Sequence, residues 1–276
     1  MKQIAGLPND LSEIDFDSFN WKRVYGTNYN MGKGFVGFHP AIGSGVTKLR
    51  QSENVQNVFS KLLHRKDLYA KLDRYGLMRP TKGRPQFKTE KGFVHWDQNP
   101  LSEPNFSRIQ GVVTLSEHTP TSGGFHVVPG FVKHFENYAQ KMYKKCMEVD
   151  DLVSVDVDEG KCLINNHLTR IYAPRGSLII WDSRSPHGNW PNADSEEWRK
   201  VLYMTFFPQP DDLTLRDVRR REMNNSALAD MHKHLNETGR RLFALDEYPD
   251  SMLPSDEEKT LGVDMNATFS NRQNGL

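Results

Sequence analysis

The residues best equipped for chemistry are His95 and Asp97, separated by Trp96, and a distant His187 in the run Ser185-Pro186-His187-Gly188. Two imidazoles and one carboxylate on one face of an octahedral ion leave three positions open, the ligand set of non-heme Fe(II) oxygenases. In a strand, residues i and i+2 project to the same face. A strand over 92–97 would therefore send His95 and Asp97 inward and Trp96 outward. The third ligand must come from another strand, and His187, just past a strand-like run and beside a permissive glycine, meets that need. Chance is the competing explanation: ten histidines and 35 acidic residues make a His-x-Asp pair unremarkable. The distal histidine, the strand setting and a downstream arginine are what lift the pattern above it.

Such a centre needs an electron source, and 2-oxoglutarate is the common one. It chelates iron through its keto oxygen and one carboxylate, and its far carboxylate suits a planar cationic fork. Arg199 opens a strongly apolar strand, with Val201, Tyr203 and Thr205 on the same face. It is the candidate anchor, against the plainer reading of a strand-end arginine reaching water. Lys200 has the opposite parity. His126, after Gly123-Gly124, is a candidate to face the same cavity. His232 and His234 lie in a charged segment and do not share a helix face. His39, His64, His118, His134 and His167 show no partner pattern.

Several elements must position these groups. Ser52 is a plausible cap for a helix carrying Val55, Val58, Phe59, Leu62 and Leu63. Residues 68–78 read as a strand. So do 108–116 (RIQGVVTLS), 125–128 after a Gly-Gly break, 167–172, 176–181 and 199–207 (RKVLYMTFF). Phe131, Phe135, Tyr138, Met142 and Cys146 mark an amphipathic helix over 131–147. Helices are expected over 215–224 and 227–235, and a polar tail or lid over 249–276. Many short strands with helices near the ends predict a mainly β chain, a sandwich or jelly roll backed by helices. No Gly-rich phosphate loop is present.

Composition narrows the field. The 276 residues suit one domain, with no repeat or linker, 37% hydrophobic and 26% charged. The 36 basic and 35 acidic residues nearly cancel, which disfavours nucleic acid and anionic membranes as partners. No apolar run is long enough to span a bilayer, and residues 1–15 carry no signal-type segment. Cys146 and Cys162 match no disulfide or metal spacing. A cytoplasmic location is therefore expected, where Fe(II) stays reduced. Arg74 and Arg184 are the candidates for gripping a small carboxylate-bearing substrate, whereas Lys82 and Arg84 read as solvated. Oligomeric state is not encoded in any recognisable signal.

Taken together, these motifs resemble the phytanoyl-CoA dioxygenase family of Fe(II)/2-oxoglutarate oxygenases. The matching pieces are His95-Trp96-Asp97, residues 110–115 (QGVVTL), 122–130 (SGGFHVVPG), 176–184 (GSLIIWDSR), Pro186-His187-Gly188-Asn189 and Arg199. They span about 68–208; the ends are not diagnostic. The resemblance implies a double-stranded β-helix of cupin-like type with iron at its open end. His95, Asp97 and His187 match the metal ligands, Arg199 the 2-oxoglutarate arginine, and Gln110 and Trp181 pocket positions near the cosubstrate. Asn189 stands where relatives commonly carry a small hydroxyl residue, which puts the usual cosubstrate contact there in question. Asp97 argues against a halogenase, in which a missing carboxylate leaves room for chloride. The implied reaction consumes O2 and 2-oxoglutarate and oxidises an unactivated C–H bond by hydroxylation, cyclisation or desaturation, as in natural-product biosynthesis. The rival readings are a cupin-like metalloprotein without redox chemistry (isomerase or hydrolase) and a non-catalytic binding protein.

Overall fold

Eleven strands and five α-helices follow one another in a computed structural model that describes residues 34–36, 43–89, 94–98, 103, 105–136, 153–154, 164, 167–256 and 258–259. The strands are β1 (Phe35–Val36), β2 (Leu68–Ala70), β3 (Tyr75–Met78), β4 (His95–Trp96), β5 (Ile109–Thr114), β6 (Gly124–Val127), β7 (Val153–Ser154), β8 (Thr169–Ile171), β9 (Leu178–Asp182), β10 (His187–Trp190) and β11 (Arg199–Pro208). The helices are α1 (Ser44–Arg50), α2 (Glu53–Leu63), α3 (Leu213–Met223), α4 (Ala229–His232) and α5 (Glu237–Leu242). All pairings are antiparallel. One sheet runs β1-β3-β11-β5-β9 with β2 also on β11, and the other runs β7-β4-β10-β6-β8.

The two sheets pack face to face. Val112, Trp181 and Val201 from the first meet Phe125 from the second, with Val127, Ile171, Ile179 and Tyr203 around them. This follows from parity: on β11 the odd residues turn to the interior, while Leu202, Met204 and Phe206 turn outward to the helices. There α2 docks. Its Ser52 cap accepts from the Val55 amide, Val55, Phe59 and Leu63 are buried one turn apart, and His64 ends it in the left-handed region at φ 51. The Phe59 ring stacks on Phe206 at 4.2 Å.

The expected strand over 68–78 is two strands on one partner, broken by a bulge. Ala70 pairs with Phe206, but Tyr75 pairs with Leu202. Four residues, 71–74, thus oppose three, 203–205, and the alternation slips by one. Leu72 and Tyr75 both pack on the helix side, and the consecutive Asp73 and Arg74 between them both line the interior cavity. Arg74 therefore lies at the bulge rather than inside a regular strand.

Packing extends beyond the expected core of about 68–208. Met223, Leu228, Met231, Leu242 and Phe243 share one cluster with Val55, Phe59 and Leu63. Helix α5, capped by Asn236 onto the Gly239 amide, has no counterpart among the sequence expectations. At the expected start of the tail, a 3-10 turn spans Asp250–Met252, and Met252 packs on Tyr69, Ala244 and Tyr248. The expected helix over 131–147 begins as a 3-10 turn, Phe131–His134; residues 137–147, Cys146 and Cys162 lie outside the described residues. No helix among the described residues is long and apolar enough to cross a membrane.

Candidate metal centre

His187 opens β10 directly opposite His95 on β4. Residues directly opposite in an antiparallel pair share a face, and their rings stand 4.4 Å apart. Asp97 follows β4 in a bend rather than in a strand, and its carboxylate turns to both rings. His95 Nε2 lies 3.6 Å from Oδ1 and His187 Nε2 3.5 Å from Oδ2. One ligand atom from each residue falls within 4.8 Å of the other two, a spacing that one ion with bonds of about 2.1 Å can bring together. Trp96 points the other way, as expected, but into a cluster with Val128, Phe131, Phe135 and Ile164.

The surrounding hydrogen bonds suit ligation. His187 Nδ1 donates to the Ser185 carbonyl at 2.9 Å, which fixes the proton there and leaves the Nε2 lone pair outward. Phe125 and Trp181 pack against the same ring at 5.9 and 5.0 Å. Gln110 donates its amide to Asp97 Oδ2 at 2.5 Å and accepts from Trp181 Nε1 at 3.0 Å. One carboxylate oxygen is thereby held by protein and Oδ1 is left to a metal. Burial opposes the charge on Asp97, but His95 and His187, when protonated, and the Gln110 amide outweigh it, so the carboxyl sits well below the usual carboxylate range. Donor types, tautomer and ionisation all fit a divalent cation.

A cavity of about 180 Å³ lies against this cluster, lined by Asp97, Gln110, Phe125, Asn189 and Tyr203 among others. Beside it Arg199 is fully buried. Its Nη2 donates to Asn189 Oδ1 at 3.1 Å and its Nε to His118 Nε2 at 3.3 Å, while Nη1 has no partner among the described residues. The Tyr203 hydroxyl donates to the same Asn189 oxygen at 3.0 Å. Asn189 thus contacts the arginine through its amide oxygen.

Of the sequence candidates, His95, Asp97, His187, Gln110, Trp181, Asn189 and Arg74 line this one cavity. Two do not. Arg184, expected to grip substrate, forks onto Asp182, with Nε to Oδ1 at 2.9 Å and Nη2 to Oδ2 at 2.7 Å. The i, i+2 spacing across the turn after β9 makes that closure local. His126, expected in the cavity, pairs with Gly188 while its neighbour Phe125 pairs with Asn189. Phe125 takes the inward face, so His126 takes the other. Burial, followed by the His187 and Arg170 charges, lowers it to about 4.

Three further residues come only from the fold. Asp73 lines the cavity because of the bulge; its carboxyl is raised by burial, against the pull of Arg50. Tyr203 shared parity with Arg199 in the sequence, which is its only signal. His118 had none, since its partner Arg199 is 81 residues away.

No family model matches the chain. A relative from Dictyostelium discoideum named "Putative phytanoyl-CoA dioxygenase" is 29% identical over 190 residues, which are 58% of this chain and 52% of that protein. The chain thus spans about half the length of the curated relative it matches. A solved structure described as the "Putative Oxidoreductase from Salmonella typhimurium LT2" superposes with a TM-score of 0.58 at 15% identity, covering 79% of this chain and 72% of that one. GlcNAc Inducible Gene 2 (GIG2) from Candida albicans does so at 0.56 and 13% identity, covering 89% and 73%. Those two likenesses show a shared fold, and over 190 residues the chain is similar in sequence to a protein named as a phytanoyl-CoA dioxygenase.

Proposed function

We propose that this chain is an Fe(II)- and 2-oxoglutarate-dependent oxygenase that oxidises an unactivated C–H bond of a small, carboxylate-bearing metabolite. The fold is read as a single-domain double-stranded β-helix. One observation carries the reading: a His-Asp-His cluster within 4.8 Å shares its cavity wall with Asn189, the partner of a fully buried arginine whose Nη1 has no partner among the described residues.

His95, Asp97 and His187 would hold the ion, and bound iron would supply the oxygen-activating redox chemistry. The protein's part is placement. Gln110 holds Asp97 through Oδ2, which would leave Oδ1 to ligate the ion. Arg199 offers unpaired N–H groups to the far carboxylate of the cosubstrate, and Asn189 and Tyr203 hold that fork in plane. Phe125 and Trp181 keep water from the metal side of the cavity. At the bulge, exposed Arg74, which lines the cavity, is the group offered to a substrate carboxylate; Arg184, which does not line it, is not.

Anaerobic addition of Fe(II) and 2-oxoglutarate should give a weak visible charge-transfer band. Admitting air with candidate metabolites should then release succinate. In His95→Ala or Asp97→Ala both signals should fall at least about a hundredfold. A wild-type protein that gives neither signal would favour the rivals, a cupin-like metalloprotein without redox chemistry or a non-catalytic binding protein.

A further inference from the structure

Two other buried arginines of this chain are each matched by a carboxylate. Arg65, 8% exposed, sends Nε and Nη2 to the two oxygens of Asp67, each at 2.7 Å. Arg184, 5% exposed, does the same with Asp182. That is the ordinary solution, because an unpaired buried charge costs several kcal/mol. Arg199 is more deeply buried than either, yet its partners are an imidazole nitrogen and an amide oxygen. Both are neutral acceptors.

We propose that His118 is a positioning residue that fixes the Arg199 guanidinium without neutralising it, so that the charge is reserved for an anionic ligand at Nη1. The proposal rests on the reading above, in which that ligand is the cosubstrate's far carboxylate. Its geometry is firmly built. The edge pairing of β5 with β11 continues past Thr114 through Leu115 N to Lys200 O at 2.8 Å. The chain then turns, and His118 donates its backbone N–H to Ala173 O at 2.9 Å. Ser122 closes the loop by accepting from the Thr119 amide at 2.9 Å. Trp190 packs edge-on to the imidazole at 6.5 Å, seated over Gly124, where any Cβ would enter its ring. His118 is 1% exposed, and because Nε2 accepts from Arg199 its proton sits on Nδ1. Burial and the Arg199 charge both favour the uncharged ring. A carboxylate in the same place would satisfy the arginine and occupy the charge that the ligand needs.

The test is a pair of variants of one shape. Glutamine and glutamate both reach the position of Nε2, and only glutamate adds a charge. Calorimetry on anaerobic, Fe(II)-loaded protein would measure the affinity for 2-oxoglutarate, succinate and inorganic phosphate. His118→Gln should bind 2-oxoglutarate within about threefold of wild type, whereas His118→Glu should weaken it by at least about tenfold. Equal affinities in the two variants would overturn the proposal, since a purely structural role predicts equality. Wild type binding phosphate or succinate but not 2-oxoglutarate would sink the cosubstrate assignment, and the Gln–Glu comparison then runs on the anion that binds. Wild type binding none of the three overturns both readings. Should His118→Glu fail to fold, the wild-type protein decides the matter. Nitrogen-15 NMR of its imidazoles should show His118 neutral, with the proton on Nδ1, from about pH 5 to pH 8. Protonation of His118 inside that range would overturn the proposal.

Discussion

Gln110 does two jobs with one amide, giving a hydrogen bond to Asp97 and taking one from Trp181. Its role is to orient a ligand, so its loss should appear in metal affinity before anything else. Gln110→Leu is expected to weaken Fe(II) binding about ten- to a hundredfold, read by anaerobic metal titration; unchanged affinity would remove Gln110 from the site. Arg199 acts one layer away. Arg199→Ala should raise the 2-oxoglutarate requirement about ten- to a hundredfold, the worth of charge-assisted hydrogen bonds, and leave Fe(II) affinity nearly unchanged. A parallel loss of iron and cosubstrate would instead mean that the β11 end has collapsed.

At the level of elements, α2 and the C-terminal helices form the outer wall that keeps β5 and β11 in register. Phe59 is the point of contact, fully buried and stacked on Phe206. Phe59→Ala should cost about 3–5 kcal/mol, measured by urea unfolding, and activity at low denaturant should persist because the cavity lies on the opposite face of the sheet. A cost below about 1 kcal/mol would show that this wall is not part of the cooperative unit. The β2–β3 bulge is the other decisive element. Strand propensity marked residues 68–78, but a slip of one residue is invisible to it. That slip turns both Asp73 and Arg74 toward the cavity.

Across the whole molecule, two facing sheets bury a polar layer next to an apolar one, and the polar layer makes stability depend on pH. Burial, followed by the Arg199 charge, lowers His118 to about 3 in the folded protein, from the ordinary imidazole value of 6.5. Between those values the unfolded chain binds the proton more readily. The contribution is therefore full above about pH 6.5 and is lost progressively as pH falls toward 3. The urea midpoint should be lower near pH 5 than near pH 7, and the difference should shrink in His118→Gln. A difference of the same size in that variant would assign the effect to other groups.

Local chemistry alone determined that His95, Asp97 and His187 are ligand types at suitable spacing, that Arg199 opens an inward-facing strand, and that the chain is β-rich with a capped helix near Ser52. Those features depend on parity, capping and side-chain type, which act over a few residues. Which arginine is spoken for, which way His126 turns, and that His118 meets Arg199 across 81 residues were decided only when β5, β10 and β11 paired in one register. Antiparallel pairing fixes partners by long-range hydrogen bonding and core packing, and a single slipped residue reassigns every side chain beyond it.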